Sequence, residues 1–259
     1  MEILKSQREV ELMRRAGGLV HRVLDAIEQA VRPGVTTGEL NALAERMIAA
    51  AGATPLFKGV RSAHAKVPFP AALCTSVNEQ VVHGIPCDRS LAEGEIVSVD
   101  CGVRLDGYCG DAARTYAVGR IAELPRRLLA ATRGALEVAI AEVRPGRRWS
   151  EVAAAMQAHV EAAGFTVVRE FVGHGIGREM HEDPKVPNYA DRGTRRGDFT
   201  LRPGLVLAVE PMVNVGKARV KYGDAVGWVV VTQDGSLSAH FEHMLAVTPT
   251  GCRVLSNGR

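Results

Sequence analysis

Cysteine is scarce and unpatterned in this chain. The five residues (Cys74, Cys87, Cys101, Cys109 and Cys252) are an odd number with no Cys-x-x-Cys pair. That pattern argues against a disulfide framework or a thiolate zinc site, and scattered reduced thiols fit a cytosolic protein. Long apolar runs are missing too. Nothing approaches the roughly 18 residues of a membrane span, and Leu205-Val206-Leu207-Ala208-Val209, typical of the longest runs, reads as a buried strand. The opening Met1-Glu2-Ile3-Leu4-Lys5-Ser6-Gln7-Arg8 lacks an apolar core and brings acid early, so no signal peptide is read there, and a cytoplasmic location is expected. Neither sign of charge dominates: 32 Lys+Arg against 29 Asp+Glu leave +3, too weak a bias to argue for DNA as partner. What remains is 46% hydrophobic and 24% charged over 259 residues. This is an ordinary globular composition, not a disordered one, with enough chain to bury a sizeable core.

The chain repeats itself. Ser6-Gln7-Arg8-Glu9 has capping-box spacing, and apolar residues recur at helical intervals from Val10 to about Val31, where Arg32-Pro33-Gly34 closes the helix. A second box, Thr36-Thr37-Gly38-Glu39, starts a helix running to Ala51, with Gly52 beyond it. Later, Leu128 to Val143 reads as a helix closed by Arg144-Pro145-Gly146, and Ser150 begins another that ends at Gly164. Pro33 and Pro145, Glu39 and Glu151, and Gly52 and Gly164 each stand 112 positions apart. This argues for an internal duplication with halves of about 1–120 and 121–259. β-type sequence follows each helix pair, as in Glu95 to Asp100, Leu205 to Glu210 and Trp228 to Thr232. The expectation is an α+β fold in one catalytic domain, with two pseudo-twofold halves, strands of an antiparallel sheet in the middle and helices outside.

The acids follow the repeat. Asp100 and Glu210 end strands 110 positions apart. Asp111 follows Asp100 across a turn with Gly102, Gly107 and Gly110, and Glu242 follows Glu210 across a long hairpin. Between the pairs lies Gly173-His174-Gly175-Ile176-Gly177-Arg178-Glu179-Met180-His181-Glu182-Asp183-Pro184. Three glycines in five residues suit a strand or loop whose backbone approaches something closely. The His174–His181 spacing is not that of the helical His-Glu-x-x-His zinc proteases. His83 stands in a parallel His-Gly-Ile-Pro context, while His21, His64, His159, His240 and His243 read as ordinary core or surface groups. Four carboxylates in one interior site carry −4, a burial that two divalent ions would neutralise. Oxygen ligands with one imidazole suit Mn, Fe(II), Co or Zn, and a pair of such ions sharing a water is hydrolytic chemistry. Residue chemistry alone stops at a two-metal hydrolase.

Read in order, a set of motifs spans the chain: Ser76-Val77-Asn78-Glu79, His83-Gly84-Ile85-Pro86, Val99-Asp100, Gly110-Asp111, Gly173-His174-Gly175-Ile176-Gly177, His181-Glu182-Asp183-Pro184, Glu210-Pro211-Met212 and Phe241-Glu242-His243. With these motifs the chain resembles the type I methionine aminopeptidases, the pita-bread family, over essentially its whole length. The resemblance implies removal of the initiator methionine from nascent polypeptide N-termini, with a small second residue preferred. It implies metal ligands Asp100, Asp111, His174, Glu210 and Glu242 around two divalent ions, with Asp111 and Glu242 shared between them. His83 and His181 would contact the substrate backbone, and Glu210 would also shuttle the proton of the attacking water. Cys74, Phe69 and Trp228 fall where the family builds its methionine pocket. Met180 stands where Phe is common, and the segment Lys58 to Phe69, which contains His64, lacks the usual tyrosine-bearing loop.

Other readings share these residues. An Xaa-Pro aminopeptidase or prolidase has the same ligands but normally an added N-terminal domain, for which 259 residues leave no room. A type II enzyme carries a helical insert, and the 29 positions from His181 to Glu210 speak against one. An inactive pita-bread protein binding nucleic acid or ribosomes would have lost ligands, and none is lost here. Lys217, Arg219 and Lys221 alternate in an expected hairpin, where one face could touch the ribosome transiently. A monomer that meets neither DNA nor membrane is expected.

Overall fold

The computed structural model describes residues 3–191 and 193–258. The first half runs α1 (Gln7–Ala30), α2 (Thr37–Ala50), β1 (Thr54–Pro55), β2 (Leu73–Val77), β3 (Gln80–Val82), β4 (Ile96–Leu105) and β5 (Tyr108–Ala117). The second half begins with α3 (Glu123–Glu142), α4 (Trp149–Ala162), β6 (Thr166–Val167), β7 (Gly173–Gly175) and β8 (Glu182–Val186). It continues through β9 (Val206–Val209), β10 (Met212–Asn214), β11 (Val220–Tyr222), β12 (Val230–Thr232), β13 (Ser238–His240), β14 (His243–Val247) and β15 (Cys252–Val254). Every strand pair among the described residues is antiparallel. No helix among them is long and apolar enough to cross a membrane.

Both capping boxes form. The Ser6 N–H donates to Glu9 Oε2 at 2.8 Å and the Thr36 N–H to Glu39 Oε2 at 2.7 Å, while each hydroxyl accepts from the N–H three residues on. The second half starts its helices differently. α3 begins at Glu123, five residues before the expected Leu128, with Ala122 at its cap and no side-chain cap bond. α4 begins at Trp149 after Arg148, and its cap comes from far along the chain. Asp198 accepts from the Ser150 N–H at 2.9 Å and from its hydroxyl at 2.7 Å.

The two Arg-Pro-Gly turns are held by equivalent bonds. In the first half Gly34 N–H donates to Leu91 O and Leu91 N–H to Val35 O, both at 2.8 Å. In the second, Gly146 N–H donates to Leu201 O and Leu201 N–H to Arg147 O, again at 2.8 Å. Each Arg-Pro-Gly turn is thus fastened to the chain just ahead of its own half's central strand. α1 and α2 pack on β2, β4 and β5 through Leu19, Val23, Ile27, Leu40, Val97, Val99 and Val103. α3 and α4 pack on β9, β10, β13 and β14 through Leu128, Leu136, Trp149, Met156, Leu207, Val213 and Leu245.

Candidate metal centre

The β4–β5 hairpin turns at Asp106-Gly107, both with positive φ (51° and 80°), as a two-residue turn with matching strand twist requires. The register that follows places Gly102 opposite Asp111 and Asp100 opposite Ala113. Period-two alternation then puts the Asp100 and Asp111 side chains on one face of the hairpin. In the other half, β9 and β14 pair up to Val209 opposite His243, and Glu210 and Glu242 stand one step beyond that last pair. β7 lies against β9 with His174 opposite Ala208. Its glycines permit this approach: a Cβ on Gly173 would sit 2.3 Å from the Ala208 carbonyl oxygen, and one on Gly175 2.1 Å from that of Asp183.

All five expected ligands line one cavity of about 310 Å³. Single donor atoms of Asp111, His174 and Glu242 lie within 4.8 Å of one another, and His174 Nε2 is 3.5 Å from Glu210 Oε1. The His174 Nδ1 bonds the Gly175 carbonyl at 3.0 Å, the tautomer that leaves Nε2 free as an acceptor toward the acids. Asp100 Oδ1, Asp111 Oδ1 and Glu242 Oε1 are buried without a hydrogen-bond partner. Burial pushes the Asp100 carboxyl up to about 7. Burial first, then the neighbouring carboxylates, raises Asp111 and Glu242 well above their usual range, and burial with the charge of Asp100 does the same to Glu210. Unsatisfied, mutually repelling buried oxygens are costly unless a cation joins them. The donor set fits hard or borderline divalent ions.

His83 and His181 line the same cavity. His83 holds φ +60°, a left-handed backbone that is rare without glycine and concentrates at functional sites. Gly84, next to it, is pressed so close to β2 that a Cβ there would sit 2.1 Å from the Thr75 carbonyl oxygen. The His83 ring stands edge-on to Phe171 at 5.6 Å and to Trp228 at 6.1 Å, and His181 is edge-on to His174 at 4.3 Å. Burial, then the charge of His181, lowers the His83 pKa to about 4, and burial lowers that of His181. Both rings are neutral near pH 7 and able to donate one hydrogen bond each.

Phe69, Cys74, Met180 and Trp228 all face this cavity, together with Val60, Arg61 and Ser62 of the Lys58–Phe69 segment and with Phe57, which sequence reasoning did not single out. Phe69 and Trp228 pack edge-on at 5.2 Å, and Trp228 Nε1 donates to Val67 O at 2.8 Å. One histidine read as ordinary belongs here. His240 Nε2 is buried without a hydrogen-bond partner, 3.8 Å from Glu210 Oε2. Its signal was available, because residues 240 and 242 share a face of an extended chain. Lys217, Arg219 and Lys221 are all exposed, with less exposed Ala218 and Val220 between them.

Convergent acids, a tautomer-fixed imidazole and two neutral histidines define a metal-dependent hydrolase site. The sequence profile of metallopeptidase family M24 matches residues 11–249, and the chain belongs to this family. It is 48% identical over 256 residues to the methionine aminopeptidase of Clostridium perfringens, covering 99% of both chains. The crystal structure of methionine aminopeptidase from Rickettsia prowazekii matches with a TM-score of 0.93 at 39% identity, covering 99% of this chain and 100% of that one. The fold is therefore the pita-bread fold. The Xaa-Pro dipeptidase of Bacillus anthracis matches at 21% identity, TM-score 0.75, with 63% of its length covered, and shares the fold alone.

Proposed function

We infer that this chain removes the N-terminal methionine of nascent polypeptides by hydrolysing the first peptide bond, with a small second residue preferred. The observation that carries the reading is the set of buried, unpartnered acid oxygens facing His174 Nε2 across one cavity. Asp100, Asp111, His174, Glu210 and Glu242 would hold two divalent ions of the Mn, Fe, Co or Zn class, whose +4 balances four carboxylates. When bound, such ions supply Lewis acidity and acidify water. Full-length similarity to methionine aminopeptidases supports one catalytic unit built of two halves.

The protein's own groups do the rest. Glu210 takes the proton of the attacking water and returns it to the leaving amine. Neutral His83 and His181 donate hydrogen bonds to the scissile amide and to the oxygen that gains charge as water adds. Cys74, Phe69, Trp228 and Met180 wall an apolar pocket whose sulfur and rings suit a thioether. The free amine of residue one is held among the acids, so only a chain's first bond is presented.

The five cysteines stand as free thiols, in keeping with work in the cytoplasm, where we place the enzyme as a monomer. The test offers Met-Ala-Ser and Ala-Pro-Ala to metal-free protein with each divalent ion added back. Metal-dependent release of methionine, with Ala-Pro-Ala uncut, is expected. Faster cleavage of Ala-Pro-Ala would overturn the reading in favour of an Xaa-Pro enzyme.

A further inference from the structure

We propose that the active-site cavity continues past His83 into a second, aromatic cleft that grips the substrate polypeptide beyond its second residue and favours an apolar or aromatic third residue. The proposal rests on the peptidase reading above and deepens it. The second cavity holds about 470 Å³ and shares Ser62, His83 and Trp228 with the catalytic one, so the two meet along a common wall. With methionine seated among Phe69, Cys74 and Trp228 and the scissile bond between His83 and His181, the rest of the chain leaves past His83.

The new cleft is built rather than incidental. One wall is a tilted stack of His64 on Tyr222, with ring centres 5.5 Å apart and an interplanar angle of 31°. Phe171, already edge-on to His83, supplies another ring. The loop carrying His64 is fastened by main-chain contacts. Lys66 N–H donates to Val226 O at 2.9 Å, and the indole N–H of Trp228 donates to Val67 O. Gly227, at φ +84°, lets the His64 carbonyl come so close that a Cβ there would lie 2.1 Å from its oxygen. The glycine at 227 and the Lys58–Phe69 segment therefore fit each other, and together they hold the His64 ring over the cleft.

The chemistry of the walls selects the ligand. Extended peptide advances about 3.3 Å per residue, so the third residue lies about 7 Å beyond the first and points to the same side of the chain. Lys221 and Glu170 stand in the same lining with opposite charges, so charge gives the cleft no preferred sign. Tyr222 leaves 46% of its surface exposed, area that an apolar or aromatic side chain would cover. Such ring contacts are worth about threefold to tenfold in binding, and being made equally in ground and transition states they act on KM.

The test compares Met-Ala, Met-Ala-Gly and Met-Ala-Phe as substrates of the metal-loaded protein. Met-Ala-Phe should exceed Met-Ala-Gly about threefold to tenfold in kcat/KM, through KM. In the double variant His64→Ala/Tyr222→Ala that ratio should fall to about 1, whereas Tyr222→Phe should keep it. A ratio of about 1 in the unaltered protein, or one that survives the double variant, would overturn the cleft. Failure to cleave any of the three peptides would instead strike the peptidase reading. In that event binding of the peptide Ala-Phe, followed by tryptophan fluorescence, decides the cleft: binding weakened by the double variant supports it, and no binding refutes it.

Discussion

The backbone N–H of Glu242 donates to the carbonyl of Ala113 at 2.9 Å, joining the two halves of the molecule between their acids. The pairing continues in steps of two residues on each side, but not by main chain alone. Thr115 Oγ1 donates to His240 O at 2.8 Å and accepts from His240 N–H at 2.9 Å. The N–H of Asp111 donates to the sulfur of Met244 at 3.0 Å. The seam that sets the distance from Asp111 to Glu242 therefore contains one peptide–peptide bond, one threonine hydroxyl and one thioether.

Replacing that sulfur tests the seam. Met244→Leu nearly conserves volume but leaves the buried Asp111 N–H without an acceptor, a loss of about 1–3 kcal/mol. A lowered Tm and weaker divalent-ion binding by calorimetry are expected together. Ion affinity that stays unchanged while Tm drops would confine Met244 to packing.

Acidity gives a second test, made on metal-free protein. Asp100 titrates at about 7, and Asp111, Glu210 and Glu242 are raised as well. A carboxyl raised on folding stabilises the fold while protonated, fully below its unfolded value and no longer once pH passes the folded one. Buried imidazoles act oppositely: His83 and His174, at about 4, and His240, at about 3, add stability as pH climbs to 6.5, and no more beyond it. From about pH 6.5 to about 7 Asp100 goes on losing its proton after the imidazoles have ceased to contribute, so Tm should fall across that window, and divalent ions should abolish the fall. A metal-free Tm that rises there contradicts the clustering of the acids.

His83→Ala and His181→Ala should each lower kcat by about 10²–10³ while both metal equivalents stay bound, as measured by elemental analysis. Loss of one equivalent in His181→Ala would make that residue a ligand.

Lys5 reaches across 177 positions to Glu182, Nζ to Oε2 at 2.5 Å, with side chains only 4% and 9% exposed. The other carboxylate oxygen accepts from the N–H groups of Arg178 and Glu179, so this pair holds the loop that carries His181. Lys5→Met strands a buried carboxylate, at a cost of about 3–5 kcal/mol, and should lower both Tm and kcat. The double variant Lys5→Met/Glu182→Met should recover part of the Tm; no recovery would mean that packing, not charge, is lost.

Reversing Lys217, Arg219 and Lys221 to glutamate should reduce co-sedimentation with ribosomes at low salt while leaving cleavage of Met-Ala-Ser alone. Unchanged co-sedimentation would make this face ordinary surface.

Much of this was legible because the determinants are local. Ser6 with Glu9 and Thr36 with Glu39 mark helix starts within four residues, and the glycines between Asp100 and Asp111, Gly107 among them, mark the turn that brings both acids to one face. The start of α4 was read within one residue, at Ser150 against Trp149, but its capping by Asp198, 48 positions beyond Ser150, was not legible. Nor was the start of α3, where Ala122 offers no capping side chain. His240 was passed over although it stands two residues before Glu242, because its partner Glu210 is distant in sequence. His64, set aside as an ordinary histidine, stands against Tyr222 through a fit with Gly227 that sequence spacing does not reveal.

The fastening of each Arg-Pro-Gly turn to its own half has a consequence for how the molecule fails. Each half closes its own circuit of main-chain bonds, and the donor set lies on the border between circuits rather than inside either. Asp100 and Asp111 belong to one, while His174, Glu210 and Glu242 belong to the other. Opening the largely exposed 119–122 connection would leave both circuits intact. A slide along the border would break the bonds that cross it, among them the β3–β12 pairing and Cys109 N–H to Gly177 O, and dismantle the site while leaving the helices of each half in place, so activity should be lost before helix content.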